Sequence, residues 1–173
     1  MNSSLLIEYA EAFYQGLKVR ADHPGPIQLQ VPVSQPCLLS WLNGQNTYPR
    51  WFWANREQNQ DHEQIAACGA ARHWNSLQAL MPELNMFDTD MRAYGGWAFK
   101  QQRYYASPWE NWTPEYFFLP RWELRLNQQG TVLCLNLVEE IKDRETGLKK
   151  ALDLLQEPRK LNQNLPLLGN DYL

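Results

Sequence analysis

At 173 residues the chain has the length of one ordinary domain, and 44% hydrophobic against 20% charged residues places it in the globular range and outside the disordered one. A net charge of −3, a pI of about 5.6 and the lack of a basic block speak against a nucleic-acid partner. No apolar run reaches the roughly 18 residues that span a bilayer, and the amino terminus carries no basic, then apolar, leader pattern; a soluble cytoplasmic protein without a membrane partner is expected.

Ser3 and Ser4 can cap a helix whose Leu6, Tyr9, Ala10, Phe13, Tyr14 and Leu17 follow three/four spacing, ended by the Pro- and Gly-rich residues 22–26. Ile27, Leu29 and Val31 alternate with Gln28 and Gln30, the signature of a half-buried strand closed by Pro32 and Pro36. Residues 38–42 are short and apolar and lead into the turn-prone 43–46. Residues 50–54, Arg-Trp-Phe-Trp-Ala, are too aromatic for a loop and read as a strand. A polar hairpin connection over 55–62 follows, and residues 65–71 return as a strand. Its Ala66, Ala67, Gly69 and Ala70 leave room for the large rings opposite.

Residues 76–81 suit a short helix stopped by Pro82, and 91–99 a strand bulged at Gly95-Gly96. A polar and aromatic loop spans 101–114. Trp122, Leu124 and Leu126 then alternate with Arg121, Glu123 and Arg125; after Asn127-Gln-Gln-Gly130 the alternation resumes at Leu133, Leu135 and Leu137, which predicts an antiparallel hairpin. From 141 to 156 a helix presents Leu148, Ala151, Leu152 and Leu155, and Pro158 stops it. Hairpin-linked strands with helices at the start, middle and end predict an α+β fold on an antiparallel sheet. The expected division is a scaffold domain over 1–158 and an irregular tail over 159–173.

The residues offer little catalytic chemistry. There is no GxGxxG, GxxxxGK[ST], HExxH or GxSxG, and Gly95-Gly96 lacks the further glycine of a phosphate loop. His23, His62 and His73 are scattered, with no second histidine at ligand spacing, so each reads as an exposed or hydrogen-bonded side chain. Asp61-His62-Glu63 reads as a solvated turn, because three consecutive side chains on an extended loop diverge. Glu139, Glu140 and Asp143 suit the positive end of the last helix. Cys37, Cys68 and Cys134 are odd in number, widely spaced and without a CxxC pair, so buried free thiols are expected. Trp51-Phe-Trp53 and the aromatic residues 109–112 read as packing surface, within this core or against another domain. No catalytic, cofactor-binding or metal-binding residue is assigned.

Several stretches nevertheless carry a likeness. Tyr48-Pro-Arg-Trp-Phe-Trp-Ala-Asn-Arg56 followed by Glu63-Gln-Ile-Ala-Ala-Cys-Gly-Ala-Ala-Arg72 resembles the aromatic strand, polar turn and A-x-G-x-x-R return strand near the start of isochorismate synthases. Tyr94-Gly-Gly-Trp-Ala-Phe99 and Phe117-Phe-Leu-Pro-Arg-Trp-Glu-Leu124 are similar to later stretches of the same family, the second to its F-x-x-P-x-x-x-W/L element. Order and spacing agree over about residues 25 to 155. Anthranilate synthases, which are relatives, carry a Leu-Leu-Glu-Ser element; here Leu38-Leu-Ser-Trp41 lacks its Glu, which favours isochorismate synthase. The general character of the amino terminus favours the menaquinone branch over the siderophore branch.

The resemblance implies chemistry performed elsewhere. Family members bind chorismate and Mg²⁺ in a carboxy-terminal region, with a lysine activating water, a glutamate as general acid and further glutamates on the metal. None of those motifs occurs here, so this chain is expected to hold no cofactor and to meet chorismate only through a catalytic half beyond Leu173. It would be an inactive amino-terminal part of an isomerase whose main partner is that half. Its exposed apolar surface is expected to drive self-association when it stands alone. The alternatives are a stand-alone module for a small aromatic ligand or a protein partner, and the amino-terminal region of another chorismate enzyme such as anthranilate synthase.

Overall fold

In the computed structural model, residues 3–34, 37–55, 63–98 and 113–155 are described. The first helix, α1, runs over Ser3–Val19 and buries Tyr9, Phe13 and Leu17, the stripe its spacing predicts. The capping expected of Ser3 and Ser4 falls on side chains outside those described. Strand β1 (Ile27–Pro32) follows, then α2 (Leu38–Gly44), a helix where only a short apolar run is expected; Leu38, Trp41 and Leu42 are all buried. β2 (Arg50–Ala54) and β3 (Gln64–Trp74) form the expected antiparallel pair, with Trp51 opposite Ala67 and Phe52 opposite Ala66.

α3 (Leu77–Leu84) starts at Ser76, whose hydroxyl accepts from the Ala79 N–H at 3.2 Å. Pro82 lies inside this helix and does not stop it. In so short a helix the proline deletes one internal bond, the one to the carbonyl of Gln78, and Gln78 is exposed so that water can take the donor's place. β4 (Tyr94–Trp97) is shorter than the strand predicted over 91–99. β5 (Glu115–Asn127) and β6 (Gly130–Leu137) form the predicted hairpin, paired from Trp122–Leu135 to Asn127–Gly130. The final helix begins as a 3-10 turn over Ile141–Asp143 and becomes α4 over Arg144–Leu154, so the predicted start at 141 is corrected by one tight turn. Residue 156, the connection over 56–62, the loop over 99–112 and the tail over 159–173 lie outside the described residues.

The strands make one antiparallel sheet in the order β1-β6-β5-β3-β2, with β4 beside the first part of β5, which gives the α+β class the patterning predicts. One face carries Ile27, Leu29, Val31, Leu133, Leu135, Leu137, Trp122 and Leu124, and α1, α2 and α4 cover it. Phe13 meets Trp122 edge to face at 5.4 Å, and the indole N–H donates to the Ala151 carbonyl at 3.3 Å, so one ring joins both long helices to the sheet.

Gly95 and Gly96 pair in unbroken register with Phe117 and Tyr116, so no bulge occurs there. The irregularity lies in β3, where the register slips between Ala70 and Arg72. Gly69 precedes the slip with φ +66, and a Cβ there would sit 3.3 Å from that of Arg121, so glycine is what the bend requires. Beyond it, Arg72 and Trp74 align with Leu119 and Phe117, and a second apolar cluster forms from Trp74, Leu80, Met91, Phe117 and Leu119.

Candidate functional site

The sheet face opposite the main core carries polar side chains that the strand pattern places toward solvent, yet several are buried. Glu123 is fully enclosed. Its Oε2 accepts from the Tyr94 hydroxyl at 2.7 Å and from Arg125 Nε at 2.9 Å, and its Oε1 accepts from Asn136 Nδ2 at 3.1 Å. Asn136 also donates to the Pro120 carbonyl and accepts from Gln28 Nε2 at 2.8 Å. The row continues through Gln30, whose amide donates to Gln28 and to Asp90. Every oxygen of Glu123 therefore has a donor, which is the condition for holding a carboxylate in the interior. Burial and the neighbouring Glu123 charge push the Tyr94 phenol above its ordinary pKa, so it stays a donor. Burial works against the Arg125 charge, but Glu123 outweighs it and holds the guanidinium above its usual value. Within the network the buried carboxylate of Glu123 is fully engaged, and the row reaches solvent at Gln30 and Asp90.

Beside it opens a groove of about 540 Å³ between β2, β4 and the start of β5, with Arg50, Trp51, Trp97, Tyr116 and Phe118 in its wall. An adjoining hollow of about 730 Å³ shares Pro49, Arg50, Thr113 and Tyr116 and reaches His73. The rings are mutually ordered. Trp51 stacks on Tyr94 at 6.1 Å, His73 on Tyr116 at 6.5 Å, and Tyr94 tilts against Phe118 at 6.2 Å. Arg50 lies over the Tyr48 ring at 4.6 Å and donates to the Gln45 carbonyl. Among the described residues the groove thus combines aromatic faces with one guanidinium, that of Arg50. It suits a flat or apolar surface, and among the described residues its wall contains no nucleophile paired with a base.

The residues weighed in the sequence fall as follows. His73 is exposed and held by its stack on Tyr116; the His23 carbonyl accepts from Arg144 at 2.7 Å. His62 and Asp61 lie outside the described residues, and Glu63 pairs with Arg92 at 2.6 Å. Among the described residues no group of three His, Cys, Asp or Glu gathers at metal-binding distance. Cys68 and Cys134 are buried, their thiols pushed up by desolvation to about 11 and about 12. Cys37 is a correction: it is exposed, because it sits just ahead of α2 in extended backbone, and hydrogen bonding with Ser40 lowers its pKa.

Glu139 lies near the start of the last helix, as expected, and has a partner the sequence does not show. It precedes the helix start and is bound by Arg121 at 2.9 Å, where that partner outweighs burial and keeps the carboxyl below the usual range. It packs so closely on Gly147 that a Cβ there would lie 2.7 Å from its carboxyl carbon. Of the β2 aromatics, read as packing within this core or against another domain, Trp51 is half-buried and stacks on Tyr94, while Phe52 is 37% and Trp53 42% exposed and neither joins the core of this chain. Residues 109–112 lie outside the described ones. The Glu123 network was missed because alternation alone assigns Arg121, Glu123 and Arg125 to solvent. The available signal was Asn136 between Leu135 and Leu137, a polar residue in register with Gln28 across the strand pair.

The sequence matches the chorismate binding enzyme family over residues 13–167. The fold resembles that of MenF, the menaquinone-specific isochorismate synthase from Escherichia coli, with a TM-score of 0.61 and 23% identity over 88% of this chain and 35% of that one. The chain therefore spans about a third of the length of that relative (35%). No curated protein sequence matches.

Proposed function

Because the chain belongs to the chorismate binding enzyme family, we propose that it is the amino-terminal, non-catalytic part of an isochorismate synthase of the menaquinone branch. The observation that carries this reading is one of extent: 88% of the chain follows the MenF fold, yet it accounts for only 35% of MenF. Converting chorismate to isochorismate requires an activated water, an acid for the departing hydroxyl and a cation for the substrate's carboxylate. The partly or fully buried acids among the described residues are engaged otherwise. Glu123 is enclosed, while Glu83, Asp88 and Glu139 are paired with Arg72, Arg20 and Arg121. Among the described residues no three acids, histidines or cysteines gather as Mg²⁺ ligands would, which supports a reading in which the metal and the chemistry reside in a carboxy-terminal half that this sheet would support.

A second reading, a stand-alone module for a small aromatic ligand, draws on the open groove beside Arg50 and Trp51. One experiment separates the two. The coding sequence beyond the Leu173 codon is read, and the longer product and the 173-residue chain are each incubated with chorismate and Mg²⁺. The expected result is an in-frame continuation whose product forms isochorismate while the shorter chain forms none. A stop codon after Leu173, or turnover by the shorter chain, overturns the proposal.

A further inference from the structure

The two outer strands of the sheet end differently. At β1 the outward backbone groups of Gln28 are occupied by side chains: its N–H donates to Asp88 at 3.4 Å and its carbonyl accepts from Arg20 at 3.5 Å. Arg20 and Asp88 are themselves an ion pair, and Pro32 closes the strand. This edge is thus blocked at Gln28 and at Pro32, a common device at the edges of monomeric sheets.

At β2 nothing comparable occurs. Its ladder partner is β3, and among the described residues no further backbone bond involves Arg50, Trp51, Phe52, Trp53 or Ala54. Alternate N–H and C=O groups of β2 therefore face away from β3 and have no partner among the described residues. The side chains make the same point. Strands covered on both faces have bulky apolar residues at successive positions, whereas edge strands alternate or carry charge and proline within them. β2 reads Trp-Phe-Trp at its centre, with rings on both faces, and none of its five residues is buried. Its neighbour β3 buries a continuous run from Ile65 to Gly69. β2 thus has the composition of an interior strand at an edge position.

From this we infer that β2 is an interior strand of the complete enzyme, and that its free edge is taken by an extended segment from the remaining polypeptide, with apolar side chains on both of its faces. The inference rests on the functional reading above, because the partner is the part of the enzyme left over when this chain accounts for 35% of its structural relative. The incoming strand would pair with the outward groups of residues 50–54 and cover Phe52 on one face and Trp53 on the other. The large rings of β2 then have cross-strand side-chain neighbours on both sides, from β3 and from the new strand, as rings of interior strands do.

Amide hydrogen exchange by mass spectrometry on peptides spanning 50–54 tests this, in the 173-residue chain and in the longer enzyme, both diluted until sedimentation shows monomers. The expected result is that the outward amides of β2 exchange about 100-fold or more slowly in the longer enzyme. Equal exchange in the two proteins overturns the inference. So does protection that depends on the oligomeric state of the longer enzyme, since a second copy would then hold the edge. If the longer enzyme converts chorismate while β2 stays unprotected, only the strand inference fails. If no longer enzyme exists, the functional reading fails as well.

Discussion

Gly95 and Gly96 are adjacent, and the structure sets them far apart in what they tolerate. A Cβ on Gly95 would lie 2.1 Å from the Tyr116 carbonyl oxygen and 2.7 Å from the Phe117 Cα, both backbone atoms of β5 that cannot yield. Gly96 has nothing within 4 Å. Gly95→Ala is therefore expected to lose about 3 kcal/mol in urea unfolding, and Gly96→Ala to stay within about 0.5 kcal/mol of the parent. The glycine pair was visible in the sequence as a break in a strand, but which member mattered depends on how near β5 runs, and that is not a local property. The cysteines offer another residue-scale test. A thiol reagent at pH 7.5 should label Cys37 rapidly in the native protein, and Cys68 and Cys134 only after denaturation, since burial holds those two thiols protonated and inaccessible. Rapid labelling of more than one thiol in the native state would contradict the burial described.

Among the elements, α1 owes its place to a few large side chains. Phe13 is fully buried against Trp122, so Phe13→Ala should cost about 3–5 kcal/mol, seen as a lower unfolding midpoint. An unchanged midpoint would mean that α1 is not docked as described. The β5–β6 hairpin and the α1 stripe were legible because their signals are local: period two on either side of Asn127-Gln-Gln-Gly130, and three/four spacing before Gly16. α2 was not. Leu38-Leu-Ser-Trp-Leu42 is too short to show a period, and Asn43-Gly44, which look like a turn, complete the helix. Pro82 misled for a related reason, since the rule that proline ends helices assumes a carbonyl with no water at hand. In β5 the alternation was correct and the inference from it was incomplete. Glu123 does face away from the main core, but residues on the Asp88–Met91 side and Tyr94 cover that face. A sequence records which side of a strand a residue occupies; what lies over that side is settled by segments distant in the chain.

For the molecule as a whole, three carboxylates join separate parts of the chain. Asp88 binds Arg20 and the β1 backbone, Glu83 binds Arg72 and Trp74, and Glu139 binds Arg121. Each is partly desolvated, which opposes ionisation, yet its donors hold it below its ordinary pKa of 3.8 for Asp88 and 4.5 for the two glutamates. Folded values depressed in this way contribute stability that is fully present above the unfolded values and lost as the pH falls through the folded ones. The urea midpoint should therefore be level from pH 7 to about 5 and decline below that, and Asp88→Asn should lower it at pH 7 while making the decline shallower. A variant with an unaltered acid slope would show that the Arg20 pair does not bear on global unfolding. The guanidinium of Arg144 reaches the carbonyls of Arg20, Ala21, His23 and Gly25, more than a hundred residues earlier in the chain, and β1 likewise pairs with β6. On the ribosome this imposes an order of events. The turn after α1 and the strand behind it emerge early and have no lasting partner until the stretch through residue 144 has left the exit tunnel, whereas β2 and β3 can zip together as soon as they appear. The turn after α1 and strand β1 are thus secured later than the β2–β3 pair, and until then the apolar face of α1 is a surface that the nascent protein must keep from other molecules while translation proceeds.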